Sequence, residues 1–303
     1  MTVLFHRDSK LKLALLAGCG LIGGGLALLT GLTFPWDDAI APLAVAATLG
    51  PCAVFYDRRQ AEQFVSTLMA AMHMLLFTAC FTVLMYSLAA LRAPLQDDLL
   101  IRVDSALGVH VPSIVDWFQA RPAIALAVAL AYNSVLPQTF VLILFLGMKG
   151  ERRPLEEFIL RMFVGLLITV AIFAVMPAKG PFAVFGLQPT GTQANYLHHL
   201  EGLRSGELRD VSLRATEGLV TFPSFHTTSA ILLALAVWHR RRLFVAFAAL
   251  NAVVILGTVT TGWHYFADVL GGIAVAIVTV WITNTLRPWI VGSDRSPRQS
   301  VPV

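Results

Sequence analysis

Read as alternating apolar and polar runs, the chain consists of long hydrophobic stretches separated by short polar breaks. A helix that crosses a bilayer needs roughly 20 mostly apolar residues, and about eight stretches approach that length. They run from Leu13 to Phe34, Ala39 to Tyr56, Phe64 to Leu91, Ala123 to Met148, Phe158 to Met176, Phe222 to Trp238, Leu243 to Thr261 and Tyr265 to Leu286. The pattern predicts an all-α, polytopic membrane helix bundle. The first run follows His6, Arg7, Lys10 and Lys12. It is too long for a signal peptide and lacks a small-residue cleavage site, so it reads as a retained first helix.

Two segments break this pattern. Asp98 to Gly108, followed by Ile114 to Phe118, mixes apolar and acidic residues at helical spacing and is too polar to span; it predicts a helix lying along the membrane interface. Pro177 to Thr221 carries Gly180, Pro181, Gly186, Pro189, Gly191 and Gly206 and predicts irregular loop or short helix. Long connections of this kind are often functional.

Composition agrees with the pattern: 57% of the 303 residues are hydrophobic and 13% are charged, which excludes an ordinary soluble enzyme. The net charge of +4 does not indicate nucleic acid, because the basic residues fall at every second boundary between spans. Lys10 and Lys12, Arg58 and Arg59, Lys149 with Arg152 and Arg153, Arg240 to Arg242, and Arg287, Arg295 and Arg298 mark those boundaries. The positive-inside rule then puts both termini in the cytoplasm and the two long segments on the other face. Cys19, Cys52 and Cys80 lie inside apolar runs, as small hydrophobes rather than a disulfide framework.

On that outer face two motifs stand out. Pro223-Ser224-Phe225-His226 opens the sixth run, and His264-Tyr265-Phe266-Ala267-Asp268-Val269 opens the eighth. His264 and Asp268 are at i and i+4, on one side of a helix. A carboxylate on one ring nitrogen leaves the other free to attack, and a second histidine can protonate a leaving oxygen. A buried polar cluster joining helices and a zinc site are alternative readings of the same residues. A polytopic bundle is also compatible with a transporter, although no inverted repeat is visible and the polar motifs cluster at one membrane face.

The two motifs resemble those of the type 2 phosphatidic acid phosphatase superfamily: Pro-Ser-Gly-His, and the end of Ser-Arg-x5-His-x3-Asp. The resemblance covers about Tyr132 to Gly272, and Lys179-Gly180-Pro181 stands where that family places its Lys-x6-Arg-Pro motif. Phe225 replaces the motif glycine, Gly257 and Thr258 stand where the Ser-Arg pair would fall, and no Arg-Pro follows Lys179 at the family distance. In these departures the chain is similar to the inositol phosphorylceramide synthase and sphingomyelin synthase branch.

The resemblance implies a membrane-embedded lipid phosphatase or headgroup phosphotransferase working through a phosphohistidine, without a metal or other cofactor. It implies His264 as nucleophile, Asp268 as its orienting partner and His226 as general acid and later base. Lys179 and Ser224, the latter with the amides of its helix, are the implied phosphate ligands, and Arg204, Arg209 or Arg214 would replace the missing arginines. The expected organisation is an N-terminal helical region over 1–121, a catalytic core over 122–290 and a cytoplasmic tail over 291–303. Expected partners are the bilayer and a lipid phosphate, and the expected location is a bacterial inner membrane with the site facing outward.

Overall fold

The computed structural model describes residues 7–291; the expectations for His6, Arg295, Arg298 and the tail beyond 291 lie outside the described residues. The chain is an all-α bundle. Its helices are α1 (Arg7–Thr30), α2 (Ile40–Arg58), α3 (Glu62–Ala89), α4 (Asp97–Ala106), α5 (Val111–Gln119), α6 (Pro122–Tyr132) and α7 (Val135–Met148). They continue as α8 (Arg152–Val175), α9 (Pro181–Val184), α10 (Gly191–Ser205), α11 (Phe225–Ala236), α12 (Arg241–Thr260) and α13 (Phe266–Val291).

Six helical stretches among the described residues are long and apolar enough to cross a membrane, against about eight expected. Two of the expected spans differ, for local reasons. The fourth run is broken into α6 and α7 at Asn133 and Ser134. Pro137 has no N–H for the Asn133 carbonyl, and both polar side chains turn back on the preceding turn, Asn133 Nδ2 to Ala129 O at 2.8 Å and Ser134 Oγ to Ala131 O at 2.6 Å. The sixth run forms only the 12-residue α11, because Pro223 and Ser224 stop it from starting earlier.

That short helix sits in the middle of the molecule, packed against α8, α12 and α13. Ser224, Thr227, Thr228 and Ser229 at its start are all buried, tolerable only because neighbouring helices satisfy or shield them. By contrast α1 and α2 flank α3 and leave Leu21, Leu28, Leu29 and Leu43 on the outer surface, as expected of faces turned to lipid.

The connections at the two ends of the bundle carry the remaining organisation. At one end the segment between α10 and α11 is tied to the turn between α1 and α2: Val211 N bonds Thr33 O at 2.9 Å, and Arg214 Nε meets Asp38 Oδ1 at 2.8 Å. The region expected to be loop or short helix contains the 15-residue α10. Its start is a capping box formed by Thr190 and Gln193, and Gly206 ends it in a left-handed conformation. At the other end Lys12 pairs with Glu156, and His239 and Arg240 with Glu151.

A close helix approach joins the helices that carry the two histidine motifs. A Cβ on Gly272 would stand 2.4 Å from Ser224 O and 2.8 Å from Thr227 Cβ, so only glycine lets α13 reach the start of α11. Thr228 Oγ1 donates to Gly272 O at 2.9 Å, and Ser224 N to Asp268 O at 3.0 Å. Gly272→Val is therefore expected to destabilise the protein by about 1–3 kcal/mol through overpacking, read as a lowered thermal midpoint in detergent. An unchanged midpoint would show that this approach is not tight.

Candidate active site

The turn before α13 is shaped by Gly262, whose φ of +79° suits glycine, and it is held from several sides. Phe182 N donates to Gly262 O at 3.0 Å, Gln193 Nε2 to Thr261 O at 3.1 Å, and Trp263 packs edge-on against both Phe182 and Tyr196. His264 follows, two residues before α13 begins rather than on the helix, and is buried, as is Asp268 in the first turn of the helix. His264 Nδ1 lies 3.1 Å from Asp268 Oδ2, and the same oxygen accepts from Tyr265 N at 3.0 Å. The i, i+4 pairing expected from spacing is thus present as a hydrogen bond. Burial lowers the His264 pKa below its usual value, so its imidazole is neutral at neutral pH.

His226, in the first turn of α11, faces this pair: the two imidazole centroids are 6.3 Å apart and inclined by 59°. On its other side the ring stacks on Tyr132 at 4.3 Å, with the Tyr132 hydroxyl 3.4 Å from His226 Nδ1. Tyr132, at the end of α6, is thus placed directly against a histidine. Gln138 instead joins helices, accepting from Asn251 Nδ2 at 2.8 Å.

Ser224 caps α11, its Oγ accepting from Thr227 N at 3.3 Å. Lys179 lies beside the site in the segment after α8, its Nζ 2.6 Å from Glu201 Oε1. The three loop arginines are spread out. Arg204 donates to Ala93 O at 2.8 Å and is close enough to Asp97 and Tyr196 to act on them electrostatically, whereas exposed Arg209 bonds Gly206 O at 3.1 Å. Arg214 is engaged by Asp37 and Asp38. Of the three, Arg204 is therefore the one with an electrostatic link to the cluster around the histidine turn. Among the described residues no group of three or more His, Cys, Asp or Glu is arranged to hold a metal ion.

Two residues that position this site were not singled out from sequence. Asp97 and Asp104 lie on one face of α4, on either side of buried Leu100. Asp97 accepts from Lys179 N at 2.9 Å, from Gly180 N at 3.0 Å and from the Tyr265 hydroxyl at 3.0 Å. Asp104 accepts from Phe266 N at 2.9 Å and Ala267 N at 2.8 Å, so it caps α13 from another helix. Burial raises the Asp104 carboxyl's pKa while these two amide bonds pull it down. The legible signal was acidic residues at positions 97 and 104 in an amphipathic segment, seven apart and thus on one helix face.

Asp104→Ala leaves one buried and one half-buried N–H group at the start of α13 without their acceptor. It is expected to cost about 1–3 kcal/mol of stability and to loosen the His264 turn. A stability loss with no change in turnover would show that α4 supports the helix but not the site.

In this helical membrane bundle a bonded His–Asp pair faces a second histidine across the starts of two adjoining helices. The family model of the PAP2 superfamily matches residues 98–282, and the chain belongs to that superfamily. No curated protein and no solved structure matches the chain. The matched region begins within α4, and so includes Asp98 to Ala106 of that helix together with the histidine helices.

Proposed function

We propose that this protein hydrolyses or transfers the phosphate-linked headgroup of a membrane lipid through a phosphohistidine on His264. The observation that carries the reading is the buried His264–Asp268 hydrogen bond facing His226 across 6.3 Å. With Nδ1–H donated to Asp268, the lone pair of His264 Nε2 is free to attack phosphorus. The P–N bond forms as the ester P–O bond breaks, and His226, whose charged form burial disfavours before substrate binds and which takes up its proton with the anionic substrate, gives that proton to the departing oxygen. His226 then takes a proton from water or an acceptor hydroxyl as that oxygen attacks phosphorus and releases His264.

Charge on the equatorial phosphate oxygens needs stabilising donors. Lys179, beside the site, and Arg204, electrostatically linked to it, are the cations we assign to that role. Ser224, already engaged as a helix cap, contributes through the amides of α11 that it orders. The positive-inside reading supports an outward-facing site, because the basic ends of α8, α12 and α13 lie at the opposite end of the bundle; a bacterial inner membrane is the location we assign. Similarity to the ceramide-directed synthases makes headgroup transfer the second arm of the test.

The test is phosphate release, and headgroup transfer to an added lipid alcohol, by detergent-purified protein with chelator present. The panel contains phosphatidic acid, a polyprenyl diphosphate and a phosphoinositol lipid. Turnover of at least one substrate is expected. Absence of both release and transfer across the panel would overturn the enzymatic reading in favour of a transport role.

A further inference from the structure

The end of the bundle opposite the histidines holds a second concentration of chemistry. Three guanidinium groups converge on Glu157: Arg153 Nε at 3.2 Å, Arg161 Nη2 at 3.5 Å and Arg287 Nη2 at 2.7 Å. The neighbouring carboxylates are already engaged, Glu156 by Lys12 and Glu151 by His239 and Arg240. Three cations against one anion leave an excess of two positive charges.

These residues line a cleft of about 200 Å³ between the start of α8 and the ends of α11 and α13, closed on its apolar side by Leu235, Ala236 and Trp238. Arg161 is buried, with only 9% of its surface exposed. Its one further hydrogen bond among the described residues is from Nη2 to Asn284 Oδ1 at 3.3 Å. The Nε atoms of Arg161 and Arg287 are both buried with no hydrogen-bond partner among the described residues. A guanidinium about 13 Å along a membrane helix from its start, held by one long ion pair and with a free N–H, is costly unless something answers its charge.

We propose that this cleft binds a phosphate group, with Arg153, Arg161 and Arg287 donating to its oxygens. Guanidinium forks match phosphate geometry, and a tryptophan with an apolar wall beside them suits the glycerol and upper chain of a lipid. A lipid headgroup and free phosphate share the oxyanion chemistry. The site is separate from the histidines and does not depend on their reading.

The experiment is thermal unfolding of the full-length protein in neutral detergent, titrated with phosphatidylglycerol, phosphatidylcholine or inorganic phosphate. Retained lipid is counted in parallel by native mass spectrometry. A saturable rise in midpoint with phosphatidylglycerol but not phosphatidylcholine is expected, and it should be lost in Arg161→Gln. Arg153→Gln/Arg287→Gln, at the more exposed positions, provides the same test should Arg161→Gln not fold. A response to inorganic phosphate that also disappears in these variants would identify the free anion as sufficient. An equal response to phosphatidylcholine, or a full phosphatidylglycerol response retained in the variants, overturns the proposal.

Discussion

Replacing His264 by Asn is expected to reduce turnover by at least about 10³-fold, because the residual rate of an enzyme without its nucleophile comes only from binding and orientation. The side chain is buried and fixed by Asp268, so the change removes the attacking nitrogen from an ordered position. The measurement is phosphate release with the best substrate of the panel, paired with trapping of ³²P-labelled protein. Wild type should give an alkali-stable, acid-labile label and His264→Asn none. A variant that keeps more than a tenth of the activity, or that still carries the label, would assign the nucleophile elsewhere. Burial also sets the pH behaviour. It lowers the pKa of His264, so the imidazole stays neutral and nucleophilic as pH falls, and the acid limb of kcat/KM should lie below the ordinary histidine value of about 6.5.

Asp268→Ala is expected to lose about 10²–10⁴-fold, comparable to other orienting carboxylates, and its partner variant separates two contributions. In the protein a single oxygen, Oδ2, accepts both from His264 Nδ1 and from Tyr265 N. Asparagine can place its carbonyl oxygen there and keep both bonds, losing the negative charge that would answer the positive ring of a phosphohistidine. Alanine loses the bonds as well. Asp268→Asn should therefore fall between wild type and Asp268→Ala in kcat, with similar KM for all three. Equal activities for Asn and wild type would mean that orientation alone matters. Equal activities for Ala and wild type would remove Asp268 from the mechanism.

Much of this arrangement was legible along the chain because it depends on short-range spacing. Hydrophobic length announces membrane helices regardless of packing, and a histidine four residues before an aspartate is within reach of it even though His264 lies in the turn before α13 and not on the helix itself. The helix starts were readable where a side chain caps its own helix, as Ser224 does, and Thr190 with Gln193 would have revealed α10 by the same rule. The break at Asn133 and Ser134 was harder to see. Polar side chains that return to their own backbone compete with the helix from within an otherwise apolar run, and Pro137 removes the N–H that would have bridged it.

Contacts between distant segments have no such signature. Asp104 caps a helix that begins at Phe266, Asp97 gathers Lys179, Gly180 and Tyr265, and Gly272 matters because Ser224 happens to pass over it. Local rules pointed to the membrane helices, the two histidine motifs and the His264–Asp268 pair. Where Lys179 and Arg204 find their partners, which polar groups only join helices, and how three arginines come to share Glu157 depended on how the helices pack, since long side chains reach partners that no fixed sequence interval specifies.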